Sequence, residues 1–181
     1  MTKVLHSKYI NKHPYFTARQ DAYLLPSGKK VDPYFVVEMP DSVCVMAITE
    51  GNEVIMIKQY RYPVNEILLE LPGGFIDGGE QPETAASREL LEETGYQFSQ
   101  FHYMGVTYGN PGVLSNATHL YLALGGTKAT EQSLDANEEI ITELHSLESV
   151  KAKLHAGEIK QSMHALCLHV GISFLETHYR S

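Results

Sequence analysis

Glu89, Glu92 and Glu93 crowd into five consecutive positions near the end of a segment with helical character. At roughly 100° per residue the three carboxylates share one face, with Leu90 and Leu91 flanking the opposite side. The segment opens at Pro82, whose missing N–H is no loss in a first helical turn. It closes before Gly95, a residue suited to the left-handed conformation just past a helix end. Stability alone would not put three acids there. The last turns of a helix favour cations by about 0.3–1 kcal/mol per charge, and like charges three and four residues apart oppose one another. Arg88 can pair with Glu92 but cannot neutralise three carboxylates. A solvated acidic face is the plain alternative. A hard divalent cation such as Mg²⁺ reverses the cost, because it binds through carboxylate oxygens, waters and substrate phosphates. The glycine-rich run L-P-G-G-F-I-D-G-G, Leu71 to Gly79, leads into the helix and favours this second reading.

The spacing across this stretch is specific. Gly74, Glu80, Arg88, Glu89, Leu90, Glu92, Glu93, Gly95 and Tyr96 stand at the positions of the Nudix box, and the chain therefore resembles a Nudix hydrolase. Only Tyr96 departs, since that place usually holds an aliphatic residue; a large ring there bears on packing rather than chemistry. Outside the box, Gln59-Tyr60-Arg61 precedes it, and Pro111 stands fifteen residues past Tyr96 within Asn110-Pro-Gly-Val-Leu-Ser-Asn116. This combination resembles the ADP-ribose pyrophosphatase branch, with related nucleotide-sugar hydrolases sharing much of it.

The resemblance implies an α/β Nudix fold, an α/β/α sandwich with a mixed β-sheet, plus an N-terminal β-hairpin. It implies a core domain over residues 41–181, and residues 1–40 as a strand segment that packs across a homodimer. The implied reaction is Mg²⁺-dependent hydrolysis of the pyrophosphate bond of ADP-ribose or a related nucleoside diphosphate sugar, with Mn²⁺ as a substitute ion. Metal neutralises the bridging charge and orients the displacement. By the same resemblance, Glu89 and Glu93 are the principal metal ligands, Glu92 is a further ligand or positions water, and the Gly73 carbonyl completes the inner shell. Arg88 fixes a box carboxylate, and Glu80 serves the loop's hydrogen bonding. Asn110 and Pro111 belong to the substrate side. Arg61 is the best phosphate or ribose contact, since a guanidinium offers bidentate recognition; a surface ion pair is its competing role. Phe75 lines the substrate site or simply packs. The branch adds a loop carboxylate as base, but the aligned place is Ala136, so Glu138 is the best substitute, with Asp135 and Glu139 behind it, and Glu92 or Glu93 acting directly as the other route. A hydrolase of GDP-mannose or another nucleotide, or a non-catalytic ADP-ribose sensor, is the alternative. Sensors usually lose box acids that this chain retains.

Composition bounds the rest. A chain of 181 residues suits one core domain, and its formal net charge of −8 argues against a nucleic-acid backbone as partner. The opening M-T-K-V-L-H-S-K is too polar for a signal peptide, and no apolar run of about 18 residues could span a membrane. Cys44 and Cys167 read as two buried free thiols in a reducing cytoplasm. The nine histidines show no ligand spacing and read as structural or surface residues. Without tryptophan, Tyr15, Phe16 or Tyr60 are the rings available to stack on a base.

The elements that must position these groups follow from patterning. Residues 15–25 and 31–39 read as strands around the Pro26-Ser-Gly-Lys29 turn, with no periodic signal in residues 1–12. Residues 42–49 and 54–60 read as half-buried strands around Glu50-Gly51-Asn52, and 67–71 as a short strand feeding the glycine loop. Strands follow at 101–108, 119–124 and 139–145, with a mobile polar loop expected over 125–137. Helices are predicted over 147–156 and 159–179, and Gly171 within the second points to close packing.

Overall fold

The computed structural model describes residues 2–14 and 16–179, and within them two compact units: residues 2–14 and 16–41 with 108–117, and residues 42–107 with 118–179. The first unit is an antiparallel three-stranded sheet of β1 (Lys3–Asn11), β2 (Thr17–Leu24) and β3 (Lys30–Glu38), in that order. The expected Pro26–Lys29 turn joins β2 to β3, with Gly28 at φ 82° and its N–H on the Leu25 carbonyl at 2.8 Å. The hairpin expectation is thus corrected to three strands. β1 escaped notice because all nine of its residues are exposed. Period-2 alternation records burial of one face, and a strand with neither face buried leaves no such record. Loop residues 108–117 are tied to β3, Val37 exchanging backbone bonds with Val113 and Ser115 at 2.8 and 3.1 Å.

The second unit contains β4 (Ser42–Thr49), β5 (Glu53–Arg61), β6 (Glu66–Glu70), α1 (Pro82–Thr94), β7 (Tyr96–Gln97), β8 (Gln100–Thr107), β9 (Thr118–Lys128), β10 (Ile140–Ser146), α2 (Leu147–His155) and α3 (Ser162–His178). Its sheet runs β10-β5-β4-β9-β7, with β6 on β5 and β8 on β9. Only β4 and β9 pair in parallel; the other pairs are antiparallel, so the sheet is mixed as expected. Residues Val43 to Thr49 of β4 are all buried. Val43, Val45 and Ala47 pack with Ala85, Ala86 and Leu90 of α1. Cys44, Met46 and Ile48 pack instead with Val150 of α2 and Cys167 and Leu168 of α3. The strand read as half-buried is therefore covered on both faces, which is why its sequence is almost continuously apolar. Helices on both faces make the α/β/α sandwich.

Other departures are local. Residues 125–128 extend β9 rather than starting a loop, and β7 pairs with them. Of the two glycines here, Gly125 takes a left-handed φ of 71°, and Gly126 has a packing reason, since a Cβ on it would lie 2.3 Å from the Phe98 ring. The last helix starts at Ser162, with Ile159 still in the core. Gly171 does mark close packing, since a Cβ there would meet Met46 Sδ at 2.4 Å. Cys44 and Cys167 are buried and free, and the pairing of the two thiols together with burial pushes the Cys44 thiol up. No helix among the described residues is long and apolar enough to cross a membrane.

Candidate active site

The glycine loop and α1 meet at two carboxylates. Gly73 has φ 154°, and a Cβ on it would fall 2.2 Å from the Val43 carbonyl oxygen, so only glycine lets the loop lie this close to β4. Its N–H donates to Glu93 Oε2 at 2.8 Å. At Gly74 a Cβ would lie 2.4 Å from Glu89 Oε1, so the second glycine makes room for the second carboxylate. The loop is fixed to β4 by Val43 N–H on the Gly74 carbonyl at 2.9 Å and Val45 N–H on the Pro72 carbonyl at 3.0 Å.

The three glutamates are not equivalent. Glu93 is 4% exposed, while Leu91, placed on the side opposite the glutamates, is 37% exposed. Burial, with the charges of Glu89 and Glu138, pushes the Glu93 carboxyl up to about 8 against the pull of the Gly73 N–H. Burial also raises Glu89, and Arg88 pulls it back. Glu92 is the most exposed of the three, at 44% of its side chain. Arg88 gathers the outer acids: it binds Glu80 through Nε and Nη2 at 3.0 Å each, and Glu89 and Glu92 through Nη1 at 2.9 and 3.1 Å. Its Nη2 also donates to the Phe75 carbonyl at 3.0 Å, joining helix to loop. The Glu80 hydrogen bonds come first in holding the guanidinium charged, and Arg88 in turn keeps the Glu80 carboxyl low.

Arg61, at the end of β5, bonds Glu70 through Nε at 3.2 Å to each oxygen and through Nη2 at 2.6 Å. Glu70 is fully buried, so this is neither a free guanidinium nor a surface pair. The charges of Glu93 and Glu138 also act on Arg61. Glu138 is folded against its own loop, its Oε2 accepting the Asp135 N–H at 3.3 Å while its N–H donates to the Asp135 carbonyl at 2.9 Å. Asn110 and Pro111 lie in the first unit, where the Asn110 carbonyl accepts the Val113 and Leu114 N–H groups at 3.0 and 2.8 Å. Phe75 is half-buried and bridges Ser42 through its backbone. Phe16 and Tyr60 are exposed, and Tyr60 donates to Asn65 Oδ1 at 2.8 Å; Tyr15 lies outside the described residues.

Several supporting groups were missed. The carbonyls at the end of α1 are all answered: Leu91 by Gly95 N–H, Glu92 by Ser133 N–H at 2.8 Å, Glu93 by Gln132 and Thr142, and Thr94 by Lys128 Nζ at 3.1 Å. Residues 129–133, expected to be mobile, are thereby pinned to the helix end, and Lys128 supplies the cation the dipole lacked within the helix. Nothing local in the sequence signals these long-range partners. His164, read only as structural or surface, is buried, and its Nδ1 accepts the Leu71 N–H at 2.8 Å. Burial lowers it to about 4, so the ring is neutral.

The donors here are hard oxygens, and burial, helped by neighbouring carboxylate charge, raises Glu89 and Glu93, which fits a divalent cation in type. They form no closed shell as they stand: among the described residues no three His, Cys, Asp or Glu side chains are grouped to hold an ion. Arg88 occupies Glu89 and Glu92, and Glu93 is turned to the loop N–H.

Residues 38–166 match the NUDIX domain model, and residues 2–37 match the nucleoside diphosphate sugar hydrolase N-terminal domain. Methanol dehydrogenase activator of Bacillus methanolicus is 35% identical over 144 residues, covering 76% of this chain and 77% of that protein. ADP-ribose pyrophosphatase of Bacillus subtilis (strain 168) is 36% identical over 126 residues, covering 67% and 68%. A crystal structure of ADP compounds hydrolase superposes with a TM-score of 0.85 over 99% of this chain and 97% of that one; at 19% identity it speaks for the fold alone.

Proposed function

The chain belongs to the Nudix hydrolase family, and from that premise we propose that it hydrolyses the pyrophosphate bond of ADP-ribose or a related nucleoside diphosphate sugar, releasing a nucleoside monophosphate and a sugar phosphate. The observation that carries the reading is the convergence of Glu93 on the Gly73 N–H and of Glu89 on the space left by Gly74. The match of residues 2–37 to a nucleoside diphosphate sugar hydrolase domain supports the substrate class.

Nudix hydrolases use divalent metal, and here we assign Mg²⁺, or Mn²⁺ in its place. Glu89, Glu92 and Glu93, with the Gly73 carbonyl, are the residues that would hold it. Bound there, the ion neutralises the pyrophosphate charge and activates water. The protein's own share is positional. Arg88 bridges Glu89 and Glu92 and fixes their rotamers; Arg61 offers phosphate oxygens the edge of its guanidinium that Glu70 does not hold. Phe75, Asn110 and Pro111 contribute to the substrate side. Glu138 takes the proton of the attacking water as its oxygen bonds phosphorus and the bridging P–O bond breaks, the electron pair leaving with the departing phosphate. The N-terminal strands, residues 1–40, serve a homodimer of the 41–181 core, in the cytoplasm.

Folded protein with Mg²⁺ should release AMP from ADP-ribose, and phosphorus NMR in ¹⁸O-water should place the label on one product phosphate. A folded protein that turns over no member of a nucleotide-sugar panel, GDP-mannose included, overturns the reading; binding of ADP-ribose without turnover would make it a sensor.

A further inference from the structure

Glu70 ends β6 with no exposed surface, and its carboxylate meets Arg61 along two nitrogens. β5 and β6 pair Ile57 with Glu70 and Arg61 with Glu66, so the Arg61 side chain runs back along its own strand to reach the glutamate. Nε and Nη2 are consumed by that bond. Nη1 has no partner among the described residues, the Arg61 side chain is 40% exposed, and its charge also feels Glu93 and Glu138. The glutamate is itself immobilised: the next residue, Leu71, donates its N–H to His164 of α3, and Pro72 follows with its carbonyl on Val45.

A buried ion pair is a poor stabiliser, because removing two charges from water offsets most of their attraction. Stability therefore gives a weak account of a fully buried glutamate at this place. A guanidinium held on two of its three nitrogens has lost most of its rotamer freedom before any ligand arrives, and the remaining edge is presented at one angle. We propose that Glu70 is a positioning residue for substrate binding, locking the Arg61 guanidinium so that its free edge meets the phosphate of the nucleoside diphosphate. The inference rests on the phosphate-binding role assigned to Arg61 above.

Steady-state kinetics on ADP-ribose with Mg²⁺ test it, using wild type, Glu70→Gln, Glu70→Asp, Arg61→Ala and the Glu70→Gln/Arg61→Ala pair, each with its melting temperature. Glu70→Gln should raise KM by roughly tenfold or more with kcat nearly unchanged, the signature of lost uniform binding. In the Arg61→Ala background the same change should have no further effect on KM. If Glu70→Gln does not fold, Glu70→Asp keeps the charge but withdraws the carboxylate by one methylene and should show the same KM rise. An unchanged KM in the folded variants, or an undiminished effect without Arg61, overturns the proposal. Wild type without turnover on any nucleotide sugar overturns instead the functional reading beneath it.

Discussion

Glu70 and Glu93 are both buried carboxylates, one at the end of β6 and one near the end of α1, and both flank the Leu71–Gly73 turn into the loop. Glu70 meets a guanidinium at 2.6 Å. Glu93 has no ion-pair partner among the described residues, and a single backbone N–H answers its carboxylate. A buried charge without a countercharge is costly, so the group holds its proton until a cation arrives. The first carboxylate is finished as the chain folds; the second is left open. That difference separates a group that fixes geometry from one that waits for a ligand.

The largest test of it is Glu93→Gln. Loss of this oxygen donor should cut kcat by roughly 10³-fold, the several kcal/mol that metal-assisted charge stabilisation supplies. Stability should move the other way. A carboxyl raised from its ordinary 4.5 to about 8 keeps a proton in the folded chain that the unfolded chain has released. Its contribution is complete below pH 4.5 and is lost as pH rises through about 8, by on the order of a few kcal/mol. In EDTA, Glu93→Gln should therefore gain stability over wild type between pH 5 and pH 9, and saturating divalent metal should narrow the gap. A variant less stable than wild type at pH 9 would mean Glu93 is already paired, and the contrast with Glu70 would collapse.

The two loop glycines sharpen the contrast. Gly73→Ala drives a methyl into the Val43 carbonyl at 2.2 Å from a backbone angle that side chains rarely adopt, so it should destabilise by about 2–4 kcal/mol, seen in urea unfolding. Gly74→Ala meets first the end of the Glu89 side chain, which can swing away. The fold should survive while metal affinity and kcat fall about 10²-fold, read by calorimetry and turnover. Equal losses of stability at the two positions would refute the claim that Gly74 is there for Glu89.

On the Glu70 side, His164 offers a titration of opposite sign. Burial lowers it to about 4, so the folded chain refuses a proton the unfolded chain accepts near 6.5. Stability is complete above pH 6.5 and lost as pH falls through about 4, by about 3 kcal/mol. His164→Asn keeps an acceptor for the Leu71 N–H without titrating, and should flatten the acid limb of a stability–pH curve. An unchanged limb would place the acid sensitivity elsewhere.

How much of this was legible depended on whether a residue's neighbours lie near it in sequence. The box helix, with Pro82 at its start and a left-handed Gly95 at its end, was readable because both limits are local. So was the Pro26–Lys29 turn; the glycine-rich run read as an entry loop, without showing that Gly74 makes room for Glu89. The fully exposed β1 was invisible, since alternation needs a buried face. Helical geometry put Glu89, Glu92 and Glu93 together, but it could not say that Glu93 faces inward while Leu91 faces out, because that choice is made by the loop and β4. Arg61 was found, yet its partner Glu70 was not: the two stand nine residues apart on paired strands, and nothing local in E-I-L-L-E-L-P marks the second glutamate as the buried one. The cap formed by Lys128, Gln132 and Thr142 comes from far along the chain, and no spacing rule reaches that distance.

The smallest effect lies deepest on the α3 face. Replacing Gly171 by alanine should gain about 1 kcal/mol from helix propensity. The new methyl would stand 2.4 Å from Met46 Sδ and 3.4 Å from its Cβ, and Met46 is fully buried between β4 and the helix. Overpacking of this kind costs about 1–3 kcal/mol, so Gly171→Ala should be destabilising by about 1 kcal/mol net. Met46→Leu, which withdraws the sulfur, should recover that loss in the double variant. Turnover should stay at the wild-type level throughout, because Met46 points to α3 and Val45, its neighbour on β4, points to α1. If kcat falls with stability, a strain on the α3 face reaches Glu93 through the strand, and the finished and the open carboxylate are mechanically one site.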